Sequence, residues 1–420
     1  MRHLLARFLA AATAVACLLG ALPAAAQPAS APAAASAPAP ALEWLATTEQ
    51  ATAKLSGLRG DRARAIAWLA AFNAVNAIEP RYREYAPAPP PVAAGTLRPS
   101  ADAALAAAIY TALALETDAD QALLLRRYRE SLAAVKSAAE RDAGATLGQQ
   151  AALMLLLARA GDRTGRVEPP PVTPGPGVFT TPSYARMPRS IAIIGIAPFA
   201  VRSVTAFDPG PPPAVGSAAA SRDIAEVRTL GSSTGSTRSG EQTAAALFWN
   251  SGEPSDFSSM VRPVLEARKL DTLDIVRILA LDALINIDGN IVTSVLKERY
   301  AHWRPEAAIA GPYAAAADAA KDWQGLVRSP NSPDYPSGAA TAAGVLEIEL
   351  PRLFAMNGPI EWRNGQTGQL RRWPDAAAMA EEMCGSRVWA GAHFRGSVEA
   401  GRRVGRQVAA EILDRQLLSR

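Results

Sequence analysis

Apolar residues return every three or four positions along most of this 420-residue chain, and strict apolar–polar alternation is nearly absent. That period belongs to a helix with one buried face and not to a half-buried strand, so the pattern confines the chain to an all-α fold. Candidate helices cover about 59–78, 101–116, 120–140, 146–160, 219–230, 239–250 and 258–269. A long one follows over 272–299, with Asp271 placed to cap it, then others at 313–326, 338–354, 375–383 and 398–418. Two Pro/Gly-rich stretches, 86–99 and 168–215, interrupt the helices. Irregular segments as long as the second usually do work or cover a surface. No repeat of fixed period is present.

Residues 1–26 read as a secretory signal peptide: Arg2 and Arg7 precede an apolar run from Phe8 to Leu22, and Ala24, Ala25 and Ala26 supply small residues before a cut at Gln27. Residues 27–42 form an Ala/Pro/Ser-rich linker. The later apolar stretch Ile191–Val201 is too short to span a bilayer and contains Pro198. The expectation is an exported protein, periplasmic or secreted, with no membrane span once the signal is removed.

Scarce residue types narrow the chemistry. Only three histidines occur, and His3 lies in the leader, leaving His302 and His393. Of two cysteines, Cys17 also lies in the leader. Cys384 alone makes no intrachain disulfide, zinc ribbon or iron–sulfur cluster, and reads as a buried inert thiol. Net charge is +4, with two of the cations in the leader and no basic run interleaved with aromatics, so nucleic-acid binding has no support. Lysine is rare beside arginine, which makes a lysine at a particular place informative.

Three C-terminal segments share a theme of anion binding. In Lys297–Pro305, a lysine and an arginine seven residues apart combine a compact charge with a rigid fork, and that spacing of about two helical turns lets both point to one side. In Ser332–Thr341, prolines end where a helical run begins. Ser337 falls at the N-cap, and the amides of Gly338 and Ala339 stand free at the positive end of the helix. In Gly385–Gly401, Arg387 is followed by His393 just before another helix.

The order and spacing of these segments resemble the three-part signature of the vanadium-dependent haloperoxidases and the type 2 phosphatidic acid phosphatase superfamily. That signature reads K-x6-R-P, P-S-G-H and S-R-x5-H-x3-D. Here it stands as Lys297-x6-Arg304-Pro305, Pro336-Ser337-Gly338-Ala339 and Ser386-Arg387-x5-His393-x3-Ser397. Phe72–Ile78, Ser221–Gly231, Arg238–Gln242 and Phe248-Trp249 are also similar to bacterial members. The resemblance implies helical bundles of the haloperoxidase and acid phosphatase type over 43–420, with the oxyanion site in 272–420.

It further implies that Lys297, Arg304 and Arg387 hold the oxygens of vanadate, with phosphate able to substitute. Ser337 and Gly338 would add hydrogen bonds and His393 would ligate the metal, with His393 and Lys297 as the catalytic pair. Partners would be hydrogen peroxide and halide or, in a phosphatase, a phosphate ester. Oligomeric state stays open. Two positions depart from the signature. Ala339 replaces the acid–base histidine, which is worth about 10²–10⁴-fold in rate. Ser397 replaces an aspartate able to orient His393. Three readings follow: a haloperoxidase-like enzyme, a non-catalytic oxyanion-binding relative, and an exported acid phosphatase. His302 is the one other histidine available as an acid, though a packing or surface role is the plainer reading. Asp334 and Tyr335 could form polar walls, with a plain turn favoured. Asp282 and Asp288 read as packing or helix polarity. No G-x-S-x-G elbow surrounds Ser337.

Overall fold

A computed structural model describes residues 39–55, 57–116, 120–162, 172–181, 195–250, 257–365 and 367–420. The expected signal peptide, and the linker up to residue 38, lie outside them. The described chain is helical, as the periodicity requires, with one two-stranded hairpin. It forms two compact units. One takes the residues up to Gly161 with Leu265–Ala280 and Leu417–Arg420; the other takes Asp162–Val264 and Leu281–Gln416. No helix among the described residues is long and apolar enough to cross a membrane.

In the first unit, α1 (Pro40–Thr52) begins inside the stretch read as linker, with Pro40 in its first turn. Then come α2 (Leu58–Ile78), α3 (Ala101–Glu116), α4 (Gln121–Ala133) and α5 (Ala138–Ala158). The single helix expected over 120–140 is two, because Ser137 caps a new start by accepting the Glu140 amide. Ala103, Ala104, Ala106, Ala107 and Ala108 of α3 are fully buried. A Cβ at Gly148 would lie 2.2 Å from the Ala104 carbonyl oxygen, so α3 and α5 meet at backbone contact. The Phe72–Ile78 segment earns its asparagines here. Asn73 brackets Tyr85 through both its amide and carbonyl, and Asn76 brackets Tyr82 likewise. Two side chains thereby satisfy the backbone of the irregular stretch that follows.

The remaining elements are α6 (Ala218–Leu230), α7 (Gly240–Asn250), α8 (Phe257–Ala267), α9 (Thr272–Tyr300), α10 (Pro305–Ile309), α11 (Gly338–Arg352), β1 (Ile360–Arg363), β2 (Leu370–Trp373), α12 (Ala376–Trp389) and α13 (Arg395–Arg415). The helix expected over 313–326 does not form; these residues make turns and irregular backbone, more than half of them exposed and Trp323 alone among them buried. Alanine-rich composition favours a helix, but so short a segment needs an apolar face to bury, and this one has none. The hairpin pairs Ile360 with Trp373 and Trp362 with Arg371. Its inward tryptophans pack on α7, with Trp249 and Trp373 centroids 5.5 Å apart.

In the second unit, α11 and α13 touch through glycines. A Cβ at Gly405 would lie 2.0 Å from the Thr341 oxygen, at Gly344 2.1 Å from the Arg402 oxygen, and at Gly401 2.3 Å from the Ser337 oxygen. Gly405→Ala is expected to cost about 3 kcal/mol of stability, read as a lower urea midpoint, because backbone stands where the methyl must go. Asp288 does more than pack: wholly buried on α9, it accepts the amides of Phe199, Ala200 and Val201 at 2.6–2.8 Å and so anchors that loop. Asp282 keeps a packing role beside buried Glu349, whose carboxyl is held well above its ordinary range by burial and by Asp282.

Candidate functional site

Helix α9 ends three residues after Lys297. Ala301 takes a positive φ of 41° and donates its amide to the Lys297 oxygen, so the chain leaves the helix axis there. The next residues run beside 177–179, with the Trp303 amide on the Gly177 oxygen and the Phe179 amide on the Ala301 oxygen. Pro305 then starts α10 with Arg304 at its N-cap. Lys297 and Arg304 therefore do not share a helix face, as their spacing suggested. They meet because the chain turns between them.

The second and third segments close on this pair. Lys297 Nζ donates to the Pro333 and Asp334 carbonyls. Arg304 donates to the Ser332 carbonyl at 2.7 Å, the Ser332 hydroxyl at 3.0 Å and the Ala392 carbonyl at 2.8 Å. Its Nη1 also lies 2.9 Å from His393 Nε2. Ser337 caps α11 by accepting the Ala340 amide, and its own amide donates to the Ser397 oxygen. Among the described residues, the Gly338 and Ala339 amides have no protein acceptor. A Cβ at Gly338 would meet Lys297 Cε and Thr293 Cγ2, both at an ordinary contact distance of 3.9 Å, so the first turn of α11 lies against the lysine side chain. Arg387 closes α12, its carbonyl accepting the Ala392 and His393 amides. Lys297, Arg304 and His393 thus meet, with the first turn of α11 beside Lys297 and the end of α12 joined to the His393 backbone.

Lys297 and Arg304 stand beside a buried carboxylate, Asp334, and buried Arg387 stands beside Arg304. Burial first, then Arg304, Lys297 and Arg387, hold the His393 imidazole well below its ordinary range, so it is neutral at pH 7. Burial and the neighbouring Arg304 pull the Arg387 guanidinium down to about 10. Its Nη1 donates to Asn250 Oδ1, but among the described residues its buried Nε has no partner. An anion placed among these groups would take up that orphaned donor and the two free amides. A tetrahedral oxyanion such as vanadate or phosphate fits such a donor set. The neutral imidazole offers a lone pair to a metal centre.

Several contributors went unread in the sequence. Asn250 reaches Arg387 from the end of α7, whose position the hairpin fixes through Asn364 on the Phe248 carbonyl. Asp334 is no bystander in a turn: it is fully buried, its Oδ1 lies 2.9 Å from His393 Nδ1, and burial pushes its carboxyl up to about 6. Tyr335 is buried, donating to the Gly210 oxygen and packing edge-on to Tyr300. Asp223 and Glu226 of α6 hold the Gly396 amide and Arg395, which gives the Ser221–Gly231 segment its purpose.

His302 is buried, packs 5.9 Å from Phe394 and is held near 4 by burial, so it is neutral and fills the packing role. It lines a small pocket with Trp303, Phe394, Ser397, Pro213 and Val215, so the described end of the long irregular stretch covers ground beside the site. Cys384 is buried and its thiol is pushed up to about 12 by burial, an unreactive state.

Residues 277–418 match the family model of the VCPO second helical-bundle domain. Among solved structures, a bacterial vanadium-dependent iodoperoxidase superposes with a TM-score of 0.76 at 20% identity, covering 90% of this chain and 98% of that one. An apo bacterial vanadium-dependent chloroperoxidase gives 0.66 at 16% identity, covering 88% and 97%, and a holo form 0.63 at 15%, covering 87% and 92%. No curated protein matches the chain in sequence. The helical architecture is that of these haloperoxidases, and residues 277–418 carry the likeness to their second helical-bundle domain.

Proposed function

We propose that this chain binds orthovanadate and oxidises halide with hydrogen peroxide, at a rate limited by Ala339. The observation that carries the reading is the convergence of three buried cations on His393, with the Arg387 Nε and the Gly338 amide left without acceptors among the described residues. In it, Lys297, Arg304 and Arg387 hold oxyanion oxygens, the Ser337 hydroxyl and Gly338 amide add hydrogen bonds, and neutral His393 supplies the ligating nitrogen. Bound vanadate would act as a Lewis acid toward peroxide. The protein keeps the anion desolvated and oriented, and Lys297 stays charged at its edge. Position 339 offers only an amide, so proton exchange at the anion passes to water.

The test is bromide and iodide oxidation by peroxide, with and without added vanadate. Vanadate-dependent oxidation supports the proposal. Vanadate binding with no oxidation leaves an oxyanion-binding protein, and vanadate-inhibited hydrolysis of p-nitrophenyl phosphate marks a phosphatase. We also propose export, on residues 1–26; a mature N-terminus at Gln27, read by mass spectrometry, checks it.

A further inference from the structure

We infer that Asp334 orients His393, doing from the loop before α11 what the missing aspartate at position 397 would do from α13. The inference rests on the proposed oxyanion site and names a positioning residue within it.

The signature residue able to carry a carboxylate beside His393 is Ser397, a serine here. Its hydroxyl nevertheless ends on a carboxylate, donating to Asp334 Oδ2. The other oxygen, Oδ1, lies 2.9 Å from His393 Nδ1. That approach is oblique, and among the described residues Oδ1 has no aligned donor, so the carboxylate presents an unfilled acceptor to the ring. Asp334 is fixed on every side: its amide donates to the His302 oxygen, and its carbonyl accepts Lys297 Nζ at 3.2 Å. Arg304 Nη1 stands 3.9 Å from Oδ1.

The two ring nitrogens of His393 differ in their nearest partners. Beside Nδ1 are the Asp334 carboxylate at 2.9 Å and the Asp334 backbone carbonyl, which only accept, with Arg304 Nη1 farther off at 3.3 Å. Beside Nε2 is the Arg304 guanidinium at 2.9 Å, which only donates. One neutral tautomer suits both: a proton on Nδ1 and a lone pair on Nε2. That leaves Nε2, on the cation side of the ring, as the nitrogen able to bind a metal centre. Partners of this kind fix ligand orientation, and their loss costs about 10–100-fold in metal affinity. The carboxylate has moved along the chain, and the Ser397 hydroxyl ties it to the position it replaces.

The experiment compares wild type, Asp334→Asn and the exchange Asp334→Asn/Ser397→Asp. The His393 tautomer is read by ¹⁵N NMR in the anion-free chain, where His302 is the only other described histidine. Affinities for orthovanadate and for inorganic phosphate are read by calorimetry. Expected are an Nδ1–H tautomer in wild type, and a mixed or Nε2–H tautomer in Asp334→Asn. That variant should also bind vanadate about 10–100-fold more weakly, with phosphate binding not weakened, because phosphate uses the cations and not the histidine lone pair. The exchange should restore the tautomer and at least tenfold of the affinity. If Asp334→Asn fails to fold, Ser397→Ala reads the same tautomer with the carboxylate's tether removed. An unchanged tautomer and vanadate affinity in folded Asp334→Asn overturns the inference, as does a folded exchange that restores neither. Failure of wild type to bind either anion would instead refute the proposed function, and the tautomer measurement would still decide the role of Asp334.

Discussion

Ala339→His raises vanadate-dependent halide oxidation by about 10²–10⁴-fold, the usual worth of a positioned acid–base group. Position 339 is the second residue of α11. Among the described residues its amide has no protein acceptor, and it follows Gly338, where a Cβ would lie 3.9 Å from Lys297 Cε. The backbone of that turn is already in place, since Ser337 caps it and α13 receives the Ser337 amide at Ser397. A histidine there adds proton exchange at the anion without adding to the cradle. Vanadate affinity is therefore expected to stay within about threefold while turnover rises. Ala339→Gln adds bulk and hydrogen bonding without a titrating group and should stay slow. Saturated turnover for the three proteins at fixed pH checks this. A histidine variant no faster than wild type would mean that 339 is not where proton transfer is missing.

Arg387→Met binds orthovanadate about 10–100-fold more weakly, yet without the anion it melts no lower than wild type. The two halves come from one observation. Among the described residues, buried Arg387 has one side-chain hydrogen bond, to Asn250, an orphaned Nε, and Arg304 as a like-charged neighbour. Replacing such a buried charge by an apolar side chain of similar volume is often neutral or stabilising. Here the loss of Asn250's partner offsets part of the gain. With the anion bound, the guanidinium contributes charge-assisted hydrogen bonds worth roughly 1.5–3 kcal/mol each. Ligand-induced stabilisation scales with affinity, so the ordering reverses at saturating vanadate and wild type becomes the more stable. Melting curves with and without the anion show the crossing. A lower anion-free Tm in the variant would assign Arg387 a structural role instead.

The helices and the site were legible in the sequence to different depths. Long periodic segments such as 101–116 and 218–230 show their helices because one face must be buried. The segment 313–326 has the composition of a helix without that face, and composition misleads there. The hairpin is hidden because four residues per strand, Ile360–Arg363 and Leu370–Trp373, are too few to show a period. The cation pair was found for a partly wrong reason: Lys297 and Arg304 meet through the turn at Ala301, not through helical spacing. Asp334 was visible as a residue, but its role depends on a fold that brings residues 334, 393 and 397 together. Asn250 carries no local signal, since its reach to Arg387 depends on how the tryptophans of the hairpin seat α7.

Calorimetric titration of the purified, anion-free wild-type chain with orthovanadate tests the oxyanion site most directly. Saturable binding of one vanadate per chain, displaced by phosphate and weakened in Arg387→Met, is the expected result. A folded chain that takes up neither vanadate nor phosphate would contradict it.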